Sequence, residues 1–387
     1  MQKKKIALLI NSLHGGGAER MVSVLANGLK DDFEIHIVLL ENRIDYILSE
    51  GQIVKALNNS AKSFSILNML KLPMLAYSYA KYCKKNKIEL SVSFLNRASY
   101  INTMAKSLYN ASYKAIVCER THQLSWLEHT SALNKGLTTF LLKKYYNKAN
   151  LIIANTRQIK KDLKILFGIN VPIEVVYNTV DIQKIALLTQ EKIDLKIDPA
   201  YFYFINVGGF RIEKNHKMLI DAMSKLNNRT CKLILLGKGK LETELISQVQ
   251  KLGLTDSIFF VGHQQNPFKY VAKANCFVLS SNVEGMPNVL LEAMACDTPI
   301  VSTDCLTGPR EILAPASEPD KILTSGFEVA PYGILCAQRN ADALAAAMGK
   351  MISDIELQKN YKNIYPERIR DFGTSVILQQ FSKIFSE

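Results

Sequence analysis

The strongest constraint on the fold of this chain is a rhythm that starts twice. Short, largely apolar runs alternate with stretches of helical spacing. In the first half the apolar runs are KIALLIN (5–11), FEIHIVLL (33–40), LSVSFL (90–95), KAIVCE (114–119) and LIIAN (151–155). Between the first two lies GGGAERMVSVLANGLK (15–30), with helical spacing. A strand with one face in water alternates apolar and polar residues. Runs that are apolar on both sides and separated by helices point to a parallel sheet covered on both faces. The rhythm restarts with YFYFINVGG (201–209), HKMLIDAMSKL (216–226), CKLILLGKG (231–239), LETELISQVQKLG (241–253), SIFFVG (257–262), CFVLSS (276–281) and PIVSTD (299–304). A chain of 387 residues has room for two domains. The expected fold is therefore α/β, with two doubly wound domains facing across a cleft. The boundary falls in EVVYNTVD (174–181), dividing residues 1–176 from 177–365. Ligands of such domains bind at the carboxyl ends of the strands.

Charge narrows the partners. The formal net charge is +13, and all of it lies in the first half. Residues 1–177 carry 25 Lys and Arg against 12 Asp and Glu; residues 178–387 carry 23 against 23. A basic domain attracts phosphorylated substrates, anionic lipid or nucleic acid, and a merely solvated basic surface is the plain alternative. No aromatic-basic RNA motif or helix-turn-helix pattern is present, so nucleic acid is not an expected partner. Cysteines 83, 118, 231, 276, 296, 305 and 336 form no Cys-x-x-Cys pair. They read as buried thiols in a reducing cytoplasm, with no metal site. No apolar run approaches the roughly 18 residues of a membrane span. The opening MQKKK before IALLIN reads as the approach to a first strand rather than a signal peptide.

One stretch carries chemistry: SNVEGMPNVLLEAMA (281–295). Charged carboxylates are almost never fully buried without a partner, yet Glu292 stands inside VLLEAMA. CFVLSS leads into a loop holding Glu284, and Pro287 suits the first turn of a helix over 287–296. The loop and the helix start offer backbone N–H groups to a phosphate. Glu292 can accept hydrogen bonds from two adjacent hydroxyls, such as a ribose diol. On the residues alone, a helix glutamate paired with a basic side chain is an equal alternative.

The Glu-x7-Glu pair resembles the motif of glycosyltransferase family 4, retaining nucleotide-sugar enzymes of the GT-B fold with two Rossmann-like domains. VGGFRIEKNH (207–216), LLGKGKLETEL (235–245), the run 260–304 and GPREIL (308–313) resemble the donor domain of that family in order. SLHGGGAERMV (12–22) is similar to its N-terminal glycine-rich loop. The resemblance covers nearly the whole chain. It implies a last helix, 366–387, that packs back on the first domain. It implies a hexosyltransferase that moves a hexose or N-acetylhexosamine from a UDP-sugar with retention, giving an α-glycosidic bond. A nucleotide-sugar 2-epimerase of the same fold is the alternative enzyme.

By the same resemblance, Glu292 binds the donor ribose and Glu284 sits by the donor sugar. Gly285, Met286, Pro287, Asn288 and Val289 line the sugar and diphosphate. Lys214 neutralises the leaving diphosphate. The family arginine next to the glycine that ends the strand is missing, since Gly209 stands there, and Arg211 is expected to serve instead. Gly16 and Gly17 face the diphosphate and acceptor. Glu119 and Arg120, or alternatively His122, occupy a position directed at the donor sugar. Glu19 is placed on the acceptor or donor-sugar side, with helix-end charge balance as an equal reading. No metal and no other cofactor are implied.

The chain is also similar to bacterial enzymes that extend lipid-linked oligosaccharides with N-acetylhexosamine, notably over LKLPMLAYSYAKYCKK (70–85) and SFLNRASYI (93–101). UDP-GalNAc is the expected donor and a polyprenyl-diphosphate-linked saccharide the expected acceptor, used in surface or glycoprotein glycan synthesis. The expected location is cytoplasmic, peripheral on the anionic inner face of the membrane. Leu70, Met74, Tyr77 and Lys81 fall at helical spacing within 64–87, and Phe140, Lys143, Lys144 and Tyr145 cluster within 137–148. Such faces suit the headgroup plane. Core-facing stripes with only the lysines outside are the other reading.

Overall fold

A computed structural model describes residues 3–57, 70–128 and 132–387. The chain divides into two units, Met1–Asn178 with Thr374–Glu387, and Thr179–Gly373.

The strands of the first unit are β1 (Lys5–Ile10), β2 (Glu34–Leu39), β3 (Ile53–Ala56), β4 (Leu90–Phe94), β5 (Lys114–Glu119), β6 (Leu151–Ala154) and β7 (Ile173–Val175). They pair in parallel in the order β3-β2-β1-β4-β5-β6-β7. Successive residues of a strand point to opposite faces. In β1, Ile6, Leu8 and Ile10 meet Met21, Leu25, Phe381 and Phe385, from helices Gly17–Gly28 and Thr374–Ser386. Ala7 and Leu9 belong to the opposite face, with Tyr79, Ile101, Leu142 and Leu163. Those four come from helices Leu72–Asn86, Asn96–Tyr109, Ala132–Tyr146 and Arg157–Ile165. Both faces are dry, which is why these runs carry no alternation.

The strands of the second unit are β8 (Phe202–Val207), β9 (Cys231–Leu236), β10 (Ile258–Gly262), β11 (Cys276–Leu279), β12 (Ile300–Thr303), β13 (Phe327–Ala330) and β14 (Gly333–Cys336). Their order is β10-β9-β8-β11-β12-β14-β13, parallel except for the β13–β14 hairpin at the edge. In both sheets the order reverses beside the first strand of the unit. The reversal lies between β1 and β4 in one and between β8 and β11 in the other. Such switch points open a crevice at the carboxyl ends of the strands.

The doubly wound α/β reading agrees with this architecture. Several details differ. Short edge strands β3, β7 and the β13–β14 pair have no strong pattern in the sequence. Pro287 precedes its helix as an extended N-cap, and the helix is Asn288–Ala295. The first unit extends to Asn178 rather than 176, because the Asn178 side chain accepts from Arg120 and from Asn155 Nδ2. The returning segment begins at Thr374, not 366. Residues 366–373 stay in the second unit, where Arg368 donates to the carbonyls of Glu311 (2.8 Å) and Ile312 (3.2 Å), and Phe372 O accepts from Val180 N at 2.9 Å.

The helix Leu72–Asn86 buries Leu72, Leu75, Ala76, Tyr79, Ala80 and Cys83. Its other side exposes Met74 (60%) and Tyr77 (56%), with Leu70 before it at 72%. Tyr77 meets the half-exposed Tyr109 edge to face at 5.4 Å. Lys81, Lys84, Lys85 and Lys87 are exposed as well. On the helix Ala132–Tyr146, Phe140 is exposed beneath Lys144 Nζ at 5.5 Å, whereas Tyr145 turns inward. The outer stripe is thus distinct from the core stripe. Residues 64–69 of the basic, apolar stretch lie outside the described residues.

Candidate active site

The second unit gathers charged side chains at its switch point. After β8 the chain runs through Gly208 and Gly209 into a 3-10 turn, Ile212–Lys214. Asn215 then adopts a left-handed conformation (φ 48°) and caps the helix His216–Leu226. After β11 the chain runs through Ser280–Pro287 into the helix Asn288–Ala295. The two loops are joined. Ser280 Oγ donates to Lys214 O (2.9 Å), Asn282 N to Glu213 O (2.8 Å) and Asn215 Nδ2 to Asn282 Oδ1 (3.0 Å). At the junction Lys214 Nζ lies 2.6 Å from Glu284 Oε1, which also accepts from Ser281 Oγ at 2.7 Å. Both partners are mostly buried, at 18% and 10% exposure. A short, hydrogen-bonded pair in such a place is held firmly, because the surrounding protein screens it less than water does.

The loop 285–287 rests on Gly308, which begins the helix Pro309–Leu313 with φ 91°. A Cβ there would stand 2.4 Å from Pro287 Cδ and 2.8 Å from Gly285 O, so only glycine fits. Thr307 Oγ1 donates to Glu284 O. Beneath them Arg310, 2% exposed, donates to Asp304 Oδ2 at 2.5 Å and to Glu328 Oε2 at 3.2 Å. Met286 is buried. Pro287, at the N-cap, has no hydrogen-bonding side chain for the start of the Asn288–Ala295 helix. Glu292 is half-buried in that helix, between buried Leu291 and Ala293.

Arg211 is 62% exposed, with Nε 3.0 Å from Glu213 Oε1. A Cβ built on Gly209 would lie 3.6 Å from Arg211 Nε, an ordinary contact. The Arg211 side chain therefore lies beside Gly209.

His216 was not singled out from the sequence. It is 1% exposed, and its Nε2 lies 2.9 Å from Asn206 Oδ1. Asn206 Nδ2 in turn donates to Val278 O at 2.7 Å, linking β8 to β11 across the switch point. With the amide so oriented, His216 Nε2 carries the proton. Burial, and then the nearby Lys214 charge, push its pKa down to about 4. The unfolded value is roughly 6.5, so the native state binds fewer protons between these pH values. This stabilisation is complete above about pH 6.5 and is lost as pH falls towards 4, a swing of about 3 kcal/mol. Thermal unfolding of the wild type should weaken over that window, and His216→Gln should flatten the dependence. Parallel curves would show that His216 is not its source.

In the first unit Gly16 N and O both bond to Tyr46 Oη, at 3.2 and 2.8 Å. Glu19 folds back on Gly16 and accepts from its own backbone N–H; burial raises its pKa. Gly17 opens the helix. Glu119 is 1% exposed and accepts from Thr121 N (2.9 Å), Gln123 Nε2 (2.8 Å) and Tyr146 Oη (2.7 Å). Burial raises its pKa too. Arg120 lies between the rings of Phe94 (5.8 Å) and Phe381 (5.9 Å) and donates to Asn178. His122 Nε2 lies 3.0 Å from Asp162 Oδ2 in the interior. These three side chains, read from the sequence as facing a sugar, are bonded within their own unit. The strand KAIVCE ends on them, and a strand buried on both faces draws its flanking polar groups into internal networks.

Among the described residues no helix is long and apolar enough to cross a membrane. Residues 15–184 match the family described as Glycosyltransferase Family 4, and residues 189–368 match Glycosyl transferases group 1. The chain is 33% identical to the N-acetylgalactosamine-N,N'-diacetylbacillosaminyl-diphospho-undecaprenol 4-alpha-N-acetylgalactosaminyltransferase of Campylobacter jejuni, over 95% of this chain and 96% of that one. A second enzyme of that organism, a GalNAc-alpha-(1->4)-GalNAc-alpha-(1->3)-diNAcBac-PP-undecaprenol alpha-1,4-N-acetyl-D-galactosaminyltransferase, is 22% identical over 99% and 98%. Among solved structures, Anabaena HepE in complex with UDP superposes with a TM-score of 0.74 at 21% identity, covering 99% of each chain. Sucrose-phosphate synthase from Thermosynechococcus elongatus superposes with a TM-score of 0.78 at 17% identity, covering 99% and 98%.

Proposed function

The chain belongs to glycosyltransferase family 4, nucleotide-sugar-dependent hexosyltransferases with the GT-B fold, and on that premise we propose that it moves N-acetylgalactosamine from UDP to a saccharide carried on a polyprenyl diphosphate. The observation that carries this reading is the Lys214–Glu284 pair at the switch point of the second unit, beside the start of the Asn288–Ala295 helix. A diphosphate that enters there meets an ammonium group, with Arg211 on the neighbouring turn, and a helix N-terminus. These groups stabilise the negative charge that develops as the glycosidic bond breaks. Glu292 holds the ribose diol and Glu284 a hydroxyl of the sugar. Front-face attack, with the leaving phosphate oxygen taking the acceptor proton, gives retention and an α-linkage. The groups named carry the charge, so no metal is required. The undecaprenyl-diphosphate acceptor and the N-acetylgalactosamine are taken from the names of the Campylobacter jejuni relatives, and UDP from the HepE complex.

The test is transfer of labelled sugar from a panel of UDP-sugars to undecaprenyl-diphosphate-linked saccharides, with and without EDTA. Transfer from UDP-GalNAc in chelator is expected. Activity that dies in EDTA and returns with Mg²⁺ or Mn²⁺ would sink the metal-free mechanism, and a preference for another donor would reassign the sugar.

The acceptor places the reaction at the inner face of the cytoplasmic membrane. Leu70, Met74, Tyr77 and Tyr109 form an exposed apolar surface next to four exposed lysines. Such a surface buries apolar area among the headgroups and gains roughly 1 kcal/mol per close basic residue from anionic lipid. In flotation with vesicles, the protein is expected to float with anionic lipid and less so in salt. Changing Lys81, Lys84, Lys85 and Lys87 to Glu should leave it at the bottom of the gradient. A protein that never floats would argue for a water-soluble acceptor.

A further inference from the structure

The switch point of the first unit holds a second concentration of unused polar groups. Arg97 stands in the first turn of the helix Asn96–Tyr109, just after β4. Its Nε and Nη2 are buried and have no partner among the described residues. Asn11, just after β1, has a buried Oδ1 in the same condition. Burial lowers the pKa of Arg97, against the opposing charge of Glu41. Glu41 lies on the far side of β1, where its backbone N donates to Asn11 O at 2.8 Å. Because β4 pairs with β1 in parallel, Arg97 and Asn11 both stand just beyond the carboxyl ends of neighbouring strands. That is the crevice where the strand order reverses, next to the Gly15–Gly17 turn.

The direction of Arg97 is held from behind. Leu95 has φ 70°, a conformation rare for a bulky residue, so the chain turns sharply there. Asn96 is pinned by two hydrogen bonds with Gln123 (3.0 and 2.7 Å), and both Gln123 and Tyr146 are bonded to Glu119. The buried Glu119 network thus holds the turn that carries Arg97. A guanidinium with buried, unmade hydrogen bonds carries a desolvation cost that an anion removes. Its planar fork matches the oxygens of a phosphate.

We propose that Arg97 binds the diphosphate of the acceptor, and that Asn11 Oδ1 accepts from a hydroxyl of the sugar attached to it. This deepens the proposed function and rests on it for the identity of the anion. The residues named all belong to the first unit.

The experiment is calorimetry on the full chain saturated with UDP, using inorganic pyrophosphate and geranyl diphosphate as probes. Both should bind, the prenyl compound more tightly if the lipid-linked form is the ligand, and geraniol should not. Arg97→Gln is expected to weaken diphosphate binding at least about tenfold and Arg97→Lys less, because an ammonium replaces the charge but not the fork. UDP affinity should be unchanged in both. Equal diphosphate affinity in the wild type and the variants, or no diphosphate binding to the UDP-saturated protein, overturns the proposal. Arg97→Lys decides the matter should Arg97→Gln not fold. Failure of UDP itself to bind would count against the donor site instead. The diphosphate titration without UDP then still tests Arg97.

Discussion

Lys214→Ala should lower kcat by about 10²–10³-fold, the loss typical when a donor aimed at developing transition-state charge is removed. The lysine is 18% exposed and 2.6 Å from Glu284, in the 3-10 turn that follows β8 at the switch point. It has two physical roles to separate. As half of an ion pair it supports the loops, and its loss would leave the Glu284 carboxylate with Ser281 but no cation. As the cation for the leaving diphosphate it acts only when the donor reacts. Comparing Glu284→Ala with Glu284→Ala plus Lys214→Ala distinguishes them. Without its partner the lysine has no ion pair left to lose, so a purely structural lysine costs no further kcat in that background. A catalytic one does, and the double variant is expected to be slower than Glu284→Ala alone. Steady-state kinetics with matched thermal unfolding would read this out. A Lys214→Ala enzyme within a few-fold of wild type would remove the lysine from the chemistry.

Glu292→Gln should weaken UDP by about ten- to a hundredfold, the worth of a charge-assisted hydrogen bond of about 1.5–3 kcal/mol. Glu292 is half-buried one turn into the helix that begins at Asn288, with buried apolar neighbours on both sides. Calorimetry with UDP measures the loss, and 2′-deoxy-UDP identifies its origin. If the carboxylate grips the diol, the substitution costs less with the deoxy ligand than with UDP. A loss of equal size for both would assign Glu292 to holding the helix.

The paired effects explain why the Glu-x7-Glu stretch was informative before any coordinates. A carboxylate inside VLLEAMA is an anomaly by burial, and a strand-loop-helix pattern around it supplies a phosphate-binding geometry. The outlines of β5 and of the helix His216–Leu226 were also legible, since KAIVCE and HKMLIDAMSKL end at sharp changes of pattern. Edge strands were not. β3 has four residues, of which Ile53, Val54 and Lys55 are exposed, so no buried periodicity marks it.

The sequence by itself determined the fold class, because strands buried on both faces cannot hide their composition, and it determined the family, because several motifs occur in order. Tertiary structure alone decided which polar groups meet. Lys214 and Glu284 are 70 residues apart and touch only because β8 and β11 are neighbours. Glu119, Arg120 and His122 look like loop residues in one dimension, but their side chains pair with Tyr146, Phe381 and Asp162 from later helices. The outward face of Leu72–Asn86 was likewise undecidable from spacing. Apolar residues lie on both sides of that helix, and periodicity says that a stripe exists without saying which stripe the sheet will cover.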